Sequence, residues 1–330
     1  MRFTVSRALL GLAAILAAPP ALAQYKAPAH TTGFPSMVTG ENQEQATASL
    51  DLGPSLERDR PARWMLADHR RLSSALAALA PQRKGVVDAY VVSIALDSDP
   101  VFGREAREAG KVLGRRFDAT GRTLVLGGTD GSGPSLLPNG SMDNLEIALA
   151  RVAEVMDPKE DVLVLYTTSH GAPVGIVYHD ADAGFGVLSP VRLANLLDEL
   201  GIRNRVLILS ACFSGVFVPR LASDTTALFT AASSDRTSFG CAADNDWTFF
   251  GDAMINHALR KLQPLAKAGD EAHELISAWE TGGHVTPSNP QTSIGSKVSA
   301  WLAPLEARMP RTETAPVGRP AVEIINRLRH

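Results

Sequence analysis

The sequence predicts an α/β fold, a three-layer α/β/α sandwich built on a mostly parallel sheet. Three observations lead there. Short apolar runs rich in β-branched residues recur at 86–96, 123–127, 161–168, 205–209 and 227–232. The first three gaps between them each hold a segment of helical periodicity, at 104–113, 142–155 and 190–200, and strands joined by helical crossovers make parallel sheets. The runs are also continuous rather than alternating, as in Val162-Leu163-Val164-Leu165, which marks strands covered on both faces.

The remaining elements follow in chain order. Residues 1–23 begin with basic residues, continue through an apolar run at 8–18 and end in Ala21-Leu22-Ala23, the pattern of a secretory signal peptide cut before Gln24. The run is shorter than the roughly 20 residues a membrane-spanning helix needs, so a periplasmic or secreted protein without a membrane span is expected. Residues 24–60 are rich in Pro, Gly, Ser, Thr and Gln and suggest an extended or disordered lead-in with no chemistry of its own. Trp64, Met65, Leu72, Leu76 and Leu79 fall at helical spacing behind Pro61, so the main domain, 61–285, opens with an amphipathic helix over 61–79. A small hairpin is expected near 175–178, and helices at 249–262 and 271–279. Residues 286–330 read as a Pro-containing tail.

Composition narrows the function. The 330 residues are 45% apolar with a formal charge of −3, and Lys and Arg are scattered, so no electrostatic footprint for nucleic acid exists. No HExxH, paired CxxC or EF-hand spacing occurs, which gives no reason to expect a metal or other cofactor. The Gly-rich stretch 127–133 lacks the Lys-Ser/Thr ending of a phosphate loop and reads as a mobile loop at the edge of a cleft. His179 and Asp180 read as a solvated loop, and His257 as a helix-face residue.

Two strand ends carry candidate chemistry. One apolar run stops at Ser169-His170-Gly171, the other at Ser210-Ala211-Cys212-Phe213-Ser214-Gly215. Ligands of open α/β sheets gather outside the carboxyl ends of the strands. His170 and Cys212 are 42 residues apart, the length of one crossover unit between neighbouring parallel strands. An imidazole beside a thiol lowers the thiol's pKa and can protonate a leaving amine. Gly171, lacking a Cβ, can hold its N–H toward a developing oxyanion, with the Cys212 N–H as a second donor. Cys212 and Cys241 are the two cysteines, and a bridge between them is the competing possibility.

These residues resemble the legumain (asparaginyl endopeptidase) family of cysteine peptidases. The resemblance rests on the two strand-end motifs, on Val101-Phe102-Gly103-Arg104-Glu105, and on Thr230-Ala231-Ala232 with Ser238-Phe239-Gly240-Cys241-Ala242-Ala243-Asp244 and Phe250-Gly251-Asp252. It implies a caspase-like fold, His170 and Cys212 as the catalytic dyad, and an oxyanion hole formed by Gly171 and Cys212. It also implies Arg104 and Asp244 as the pocket charges that bind substrate, with Ser210 at a further pocket position where plant and animal legumains are acidic. A cation paired with an anion complements the one acceptor and two donors of a primary amide. The expected partner is therefore a peptide or protein substrate, cut after Asn first and Asp second, through a thioester that water or an amine can capture. Phe102 stands where the plant and animal enzymes carry an Asn that orients the catalytic His, and Ser169 replaces the usual Asp. Orientation of His170 must then come from elsewhere. A non-catalytic exported peptide-binding or scaffold protein of the same fold is the alternative.

Overall fold

The computed structural model describes residues 25–324, and the expected signal peptide lies outside them. Six strands form the central sheet in the order β10, β9, β8, β4, β2, β3. These are β2 (Ala89–Ala95), β3 (Thr123–Leu126), β4 (Val162–Thr168), β8 (Arg205–Ser210), β9 (Thr226–Thr230) and β10 (Gln291–Ile294). All neighbours pair in parallel except β10, which runs antiparallel on β9.

Strand alternation sends side chains into two cores. Val91, Val164, Tyr166, Val206, Ile208 and Phe229 face one layer, made by α3 (Pro100–Arg116), α7 (Leu265–Gly283) and α8 (Val298–Glu306). Tyr90, Val92, Ile94, Leu163, Leu165, Leu207 and Leu209 face the other, with α2 (Ala62–Ala77), α4 (Met142–Val155) and α5 (Pro190–Glu199). A sheet buried on both faces is what the continuous apolar runs required. No helix among the described residues is long and apolar enough to cross a membrane.

Several expectations need correction. Residues 24–60 are not featureless: α1 (Gln43–Asp51) is capped by the Asn42 side chain, and β1 (Ser55–Glu57) pairs with β7 (Gly184–Leu188). Tertiary pairing there overrides a composition poor in apolar residues. The expected hairpin is larger, a four-stranded antiparallel sheet of β1, β7, β6 (Gly175–Asp180) and β5 (Gly171–Ala172). The expected tail contributes β10 and α8, with Trp301 and Leu305 buried in the core. The segment expected as the helix 249–262 is a π-helical stretch, Gly251–His257, followed by a 3-10 turn. There the buried Asp252 carboxyl accepts hydrogen bonds from Asn256 Nδ2 and from the Ala321 N–H.

Candidate active site

Both predicted catalytic side chains lie just beyond the carboxyl ends of adjacent parallel strands. β4 and β8 pair with Thr168 opposite Ser210, so His170 and Cys212 each stand two residues past the last paired position. The Ser169 N–H donates to the Ser210 carbonyl at 3.2 Å and continues the register toward the site. A Cβ on Gly171 would lie 2.0 Å from the Cys212 carbonyl oxygen, so only glycine lets the chain leaving β4 pass the thiol-bearing residue.

The chain turns sharply at Cys212. Phe213 has φ 57°, a left-handed conformation that costs a bulky residue about 1–3 kcal/mol and persists only when its surroundings impose it. Those surroundings are specific. The Phe213 N–H donates to the Arg236 carbonyl at 2.8 Å, and Ser214 Oγ accepts from the N–H groups of Ala231 and Ala232 at the end of β9. A Cβ on Gly215 would sit 2.5 Å from the Ser234 nitrogen. The Ser-Gly that follows the cysteine is therefore the mould of the turn.

Cys212 and Cys241 are both free thiols. Cys212 Sγ accepts a hydrogen bond from the Ser238 N–H at 3.2 Å. The Cys212 thiol pKa is lowered, chiefly by a hydrogen bond from Cys241; burial opposes this, while the Ser238 N–H and the charge of His170 assist it. Cys241, half-buried and donating to Cys212, is held well above its ordinary value by that hydrogen bond and by burial. Of the two sulfurs, Cys212 is the one that ionises, and the thiolate is the nucleophilic form.

His170 packs edge-on against Phe102, with ring centroids 5.1 Å apart, and its Nε2 lies 3.8 Å from Asp99 Oδ2. Burial pushes its pKa down, but the contact with the Asp99 carboxylate and the negative charges of Asp97 and Cys212 outweigh that, and the net shift is upward. Asp99, at the start of α3, is the orienting group that the sequence reading lacked. Its signal was present: Asp97-Ser98-Asp99 directly follows the apolar run 86–96, at the strand end where functional groups gather. Phe102 instead supplies an aromatic wall, and Ser169 turns away to donate to the Val177 carbonyl at 2.6 Å.

Beneath the strand tips lies a polar node. The fully buried Glu105 carboxyl accepts from Tyr166 Oη, from Thr168 Oγ1 at 2.7 Å, from Ser210 Oγ at 3.1 Å and from the Thr248 N–H at 2.9 Å. Ser210 was expected at the substrate pocket, and this placement corrects that. It shares its strand face with Ile208, so its hydroxyl points into the α3 layer and is spent on Glu105 and Thr248.

Arg104 joins two loops. Its guanidinium donates to the carbonyls of Asp130 at 2.7 Å, Ala243 at 2.6 Å and Asn245 at 3.2 Å. The Gly-rich loop 127–133 is thereby tied to α3, and Arg107 adds a 2.7 Å bond to the Gly128 carbonyl. It is anchored rather than loose. Asp244 is exposed on the second loop, and the carboxylate paired with Arg104 is that of Asp246, 3.8 Å away. Asp246 in turn accepts from the Arg319 N–H at 2.8 Å and pairs with the Arg319 guanidinium at 3.2 Å. Neither Asp246 nor Arg319 was singled out from sequence, and a residue 73 positions away leaves no local signal. His179 and Asp180 belong to β6 instead of a solvated loop: His179 stacks on His30, and Asp180 pairs with Arg60 at 2.8 Å.

Residues 140–295, the span from the start of α4 to the end of β10, match the model of the Peptidase C13 family. The structure is similar to caspase-1 from Spodoptera frugiperda, at 12% sequence identity and a TM-score of 0.42, over 66% of this chain and 93% of that one. No curated protein matches the sequence.

Proposed function

From the match of residues 140–295 to the model of the Peptidase C13 family, we propose that this chain is a cysteine endopeptidase of the legumain type that works through a Cys212–His170 dyad and cuts after Asn, with Asp second. One observation carries the dyad: the in-register pairing of β4 with β8 and the close packing of Gly171 on Cys212, which bring base and nucleophile off adjacent strand tips. The Cys212 thiolate attacks the substrate carbonyl and His170, charged with the help of Asp99, gives its proton to the leaving amine. The resulting thioester is hydrolysed by water, for which His170 is the base, or is captured by an amine. The Gly171 and Cys212 N–H groups receive the oxyanion.

Arg104 with Asp244 and Asp246 supplies the charges of the specificity pocket. A cation flanked by carboxylates suits the acceptor and donors of an Asn side chain, and Arg104 alone would favour Asp. Signal cleavage before Gln24 would deliver the enzyme to the periplasm or outside the cell.

The test is mass spectrometry of the reduced protein after exposure to an Asn-bearing acyloxymethyl ketone. A single adduct on Cys212, lost in Cys212→Ala and weakened in Asp244→Ala or Asp246→Ala, supports the dyad and the pocket. No adduct with Asn, Asp or small apolar probes overturns the catalytic reading.

A further inference from the structure

Beside the dyad, on the rim of the sheet, His30, Asp97 and His179 present ligand atoms that all lie within 4.8 Å of one another. They come from three separate segments: the lead-in, the tip of β2 and the strand β6. Asp97 is 2% exposed, and its Oδ2 is buried with no hydrogen-bond partner. His179 Nε2 is likewise buried and unpartnered. Buried polar atoms without partners on two neighbouring residues are costly, and a native site that tolerates them calls for an explanation.

The groups around these atoms are arranged as supports. His30 Nδ1 lies 3.2 Å from the Ala181 carbonyl and Nε2 lies 3.2 Å from Asp97 Oδ1, both acceptors, so without an ion His30 is a cation paired with Asp97, its pKa raised to about 9 chiefly by that contact, and a bound ion takes the place of the Nε2 proton. Asp97 Oδ1 also accepts from the Asp99 N–H at 2.8 Å. A ligating imidazole whose other nitrogen is fixed by a carbonyl, and a ligating carboxylate fixed by a backbone N–H, are the usual outer contacts of a metal site.

We infer that His30, Asp97 and His179 form a binding site for a divalent transition-metal ion, for which Zn2+ is the best match. Two imidazoles and one carboxylate suit Zn2+, whereas Ca2+ and Mg2+ call for more oxygen ligands. The ion satisfies Asp97 Oδ2 and His179 Nε2 together, and three protein ligands leave a fourth position for water. The His30 and His179 rings stack at 3.6 Å with 23° between their planes, so one must turn for both lone pairs to meet a single ion. His30, 21% exposed on a stretch without regular structure, is the one placed to do so. A bound ion fastens the lead-in to the sheet beside Asp99 and His170.

The test is a Zn2+ titration of the chain against a chromophoric chelator, in a Cys212→Ala/Cys241→Ala background that removes competing thiols, with circular dichroism to verify folding. Asp97 also holds the Asp99 N–H, so the variants are His30→Ala and His179→Ala. The expected result is one Zn2+ per chain, with affinity at least about tenfold weaker in each variant. Absence of stoichiometric binding, or a smaller change in either folded variant, overturns the site.

Discussion

Glu105→Ala is the most informative perturbation of the strand tips, because one carboxyl holds β4, β8 and the 241–250 loop together. It accepts four hydrogen bonds, and it is fully buried. Ser210 and Thr248 already share a 3.2 Å hydroxyl contact and can satisfy each other in part. The Tyr166 and Thr168 hydroxyls and the Thr248 N–H are then the principal orphans. Each unsatisfied buried donor costs about 1–3 kcal/mol, the lost side chain leaves a cavity, and release from burying a carboxyl offsets part of the total. The expected loss is about 3–5 kcal/mol. With an unfolding entropy near 2.1 cal/mol/K per residue over a chain of this size, that lowers Tm by about 5–8 °C. Differential scanning calorimetry and urea unfolding measure it, with Glu105→Gln falling between wild type and Ala because the amide keeps the volume and one acceptor. kcat should fall in both variants, since small displacements of base or nucleophile are expensive. An alanine variant within about 1 °C of wild type would refute the view that this node sets the strand tips.

Three other predictions concern chemistry and specificity. Asp99 helps raise the His170 pKa, so Asp99→Asn should move the alkaline limb of kcat/KM to lower pH. Conversely, Cys241→Ala removes the main influence lowering the Cys212 thiol and should move the acid limb to higher pH, both limbs being properties of the coupled dyad; a profile unchanged by either substitution contradicts these roles. Arg319→Ala releases Asp246 and the loop carrying Asp244, so KM for an Asn substrate should rise several-fold with kcat little changed, and an unaltered KM argues against a part for the C-terminal segment in the pocket.

What could be read from sequence divides along the range of the interactions. The sheet was legible because periodicity and strand length are local, and 161–168 and 205–209 nearly coincide with β4 and β8. The placement of His170 and Cys212 at neighbouring strand tips was legible because each follows an apolar run one crossover unit from the other. Asp99 lies at a strand end too, but the resemblance points to Phe102 and Ser169 for the group beside His170, and neither carries a carboxylate. Ser210 was misassigned for another reason: strand alternation had already fixed its face, and Ile208 two residues earlier belongs to the α3 layer. Asp246 was adjacent to the expected Asp244, yet only tertiary packing distinguishes a carboxylate facing Arg104 from one facing solvent.

The larger omission concerns both ends of the described chain, which looked unstructured because neither carries an apolar pattern of its own. Their order comes from polar contacts with the domain as well as from the burial of Trp301, Leu305 and Ala321. Asp182 accepts from the N–H groups of Thr31 and Thr32 at 2.9 and 2.8 Å, while the Val317 carbonyl accepts from Trp247 Nε1 at 2.8 Å. The first set brings His30 to the carboxylates that serve His170; the second brings Arg319 to the carboxylate that serves Arg104. His170 and Arg104, the proposed base and pocket residue, are therefore each coupled to a terminal segment through a few polar contacts. Such contacts resist mild heating less than a core does, and they respond to local changes in charge. The base and the pocket can thus be disturbed independently of the sheet that carries them.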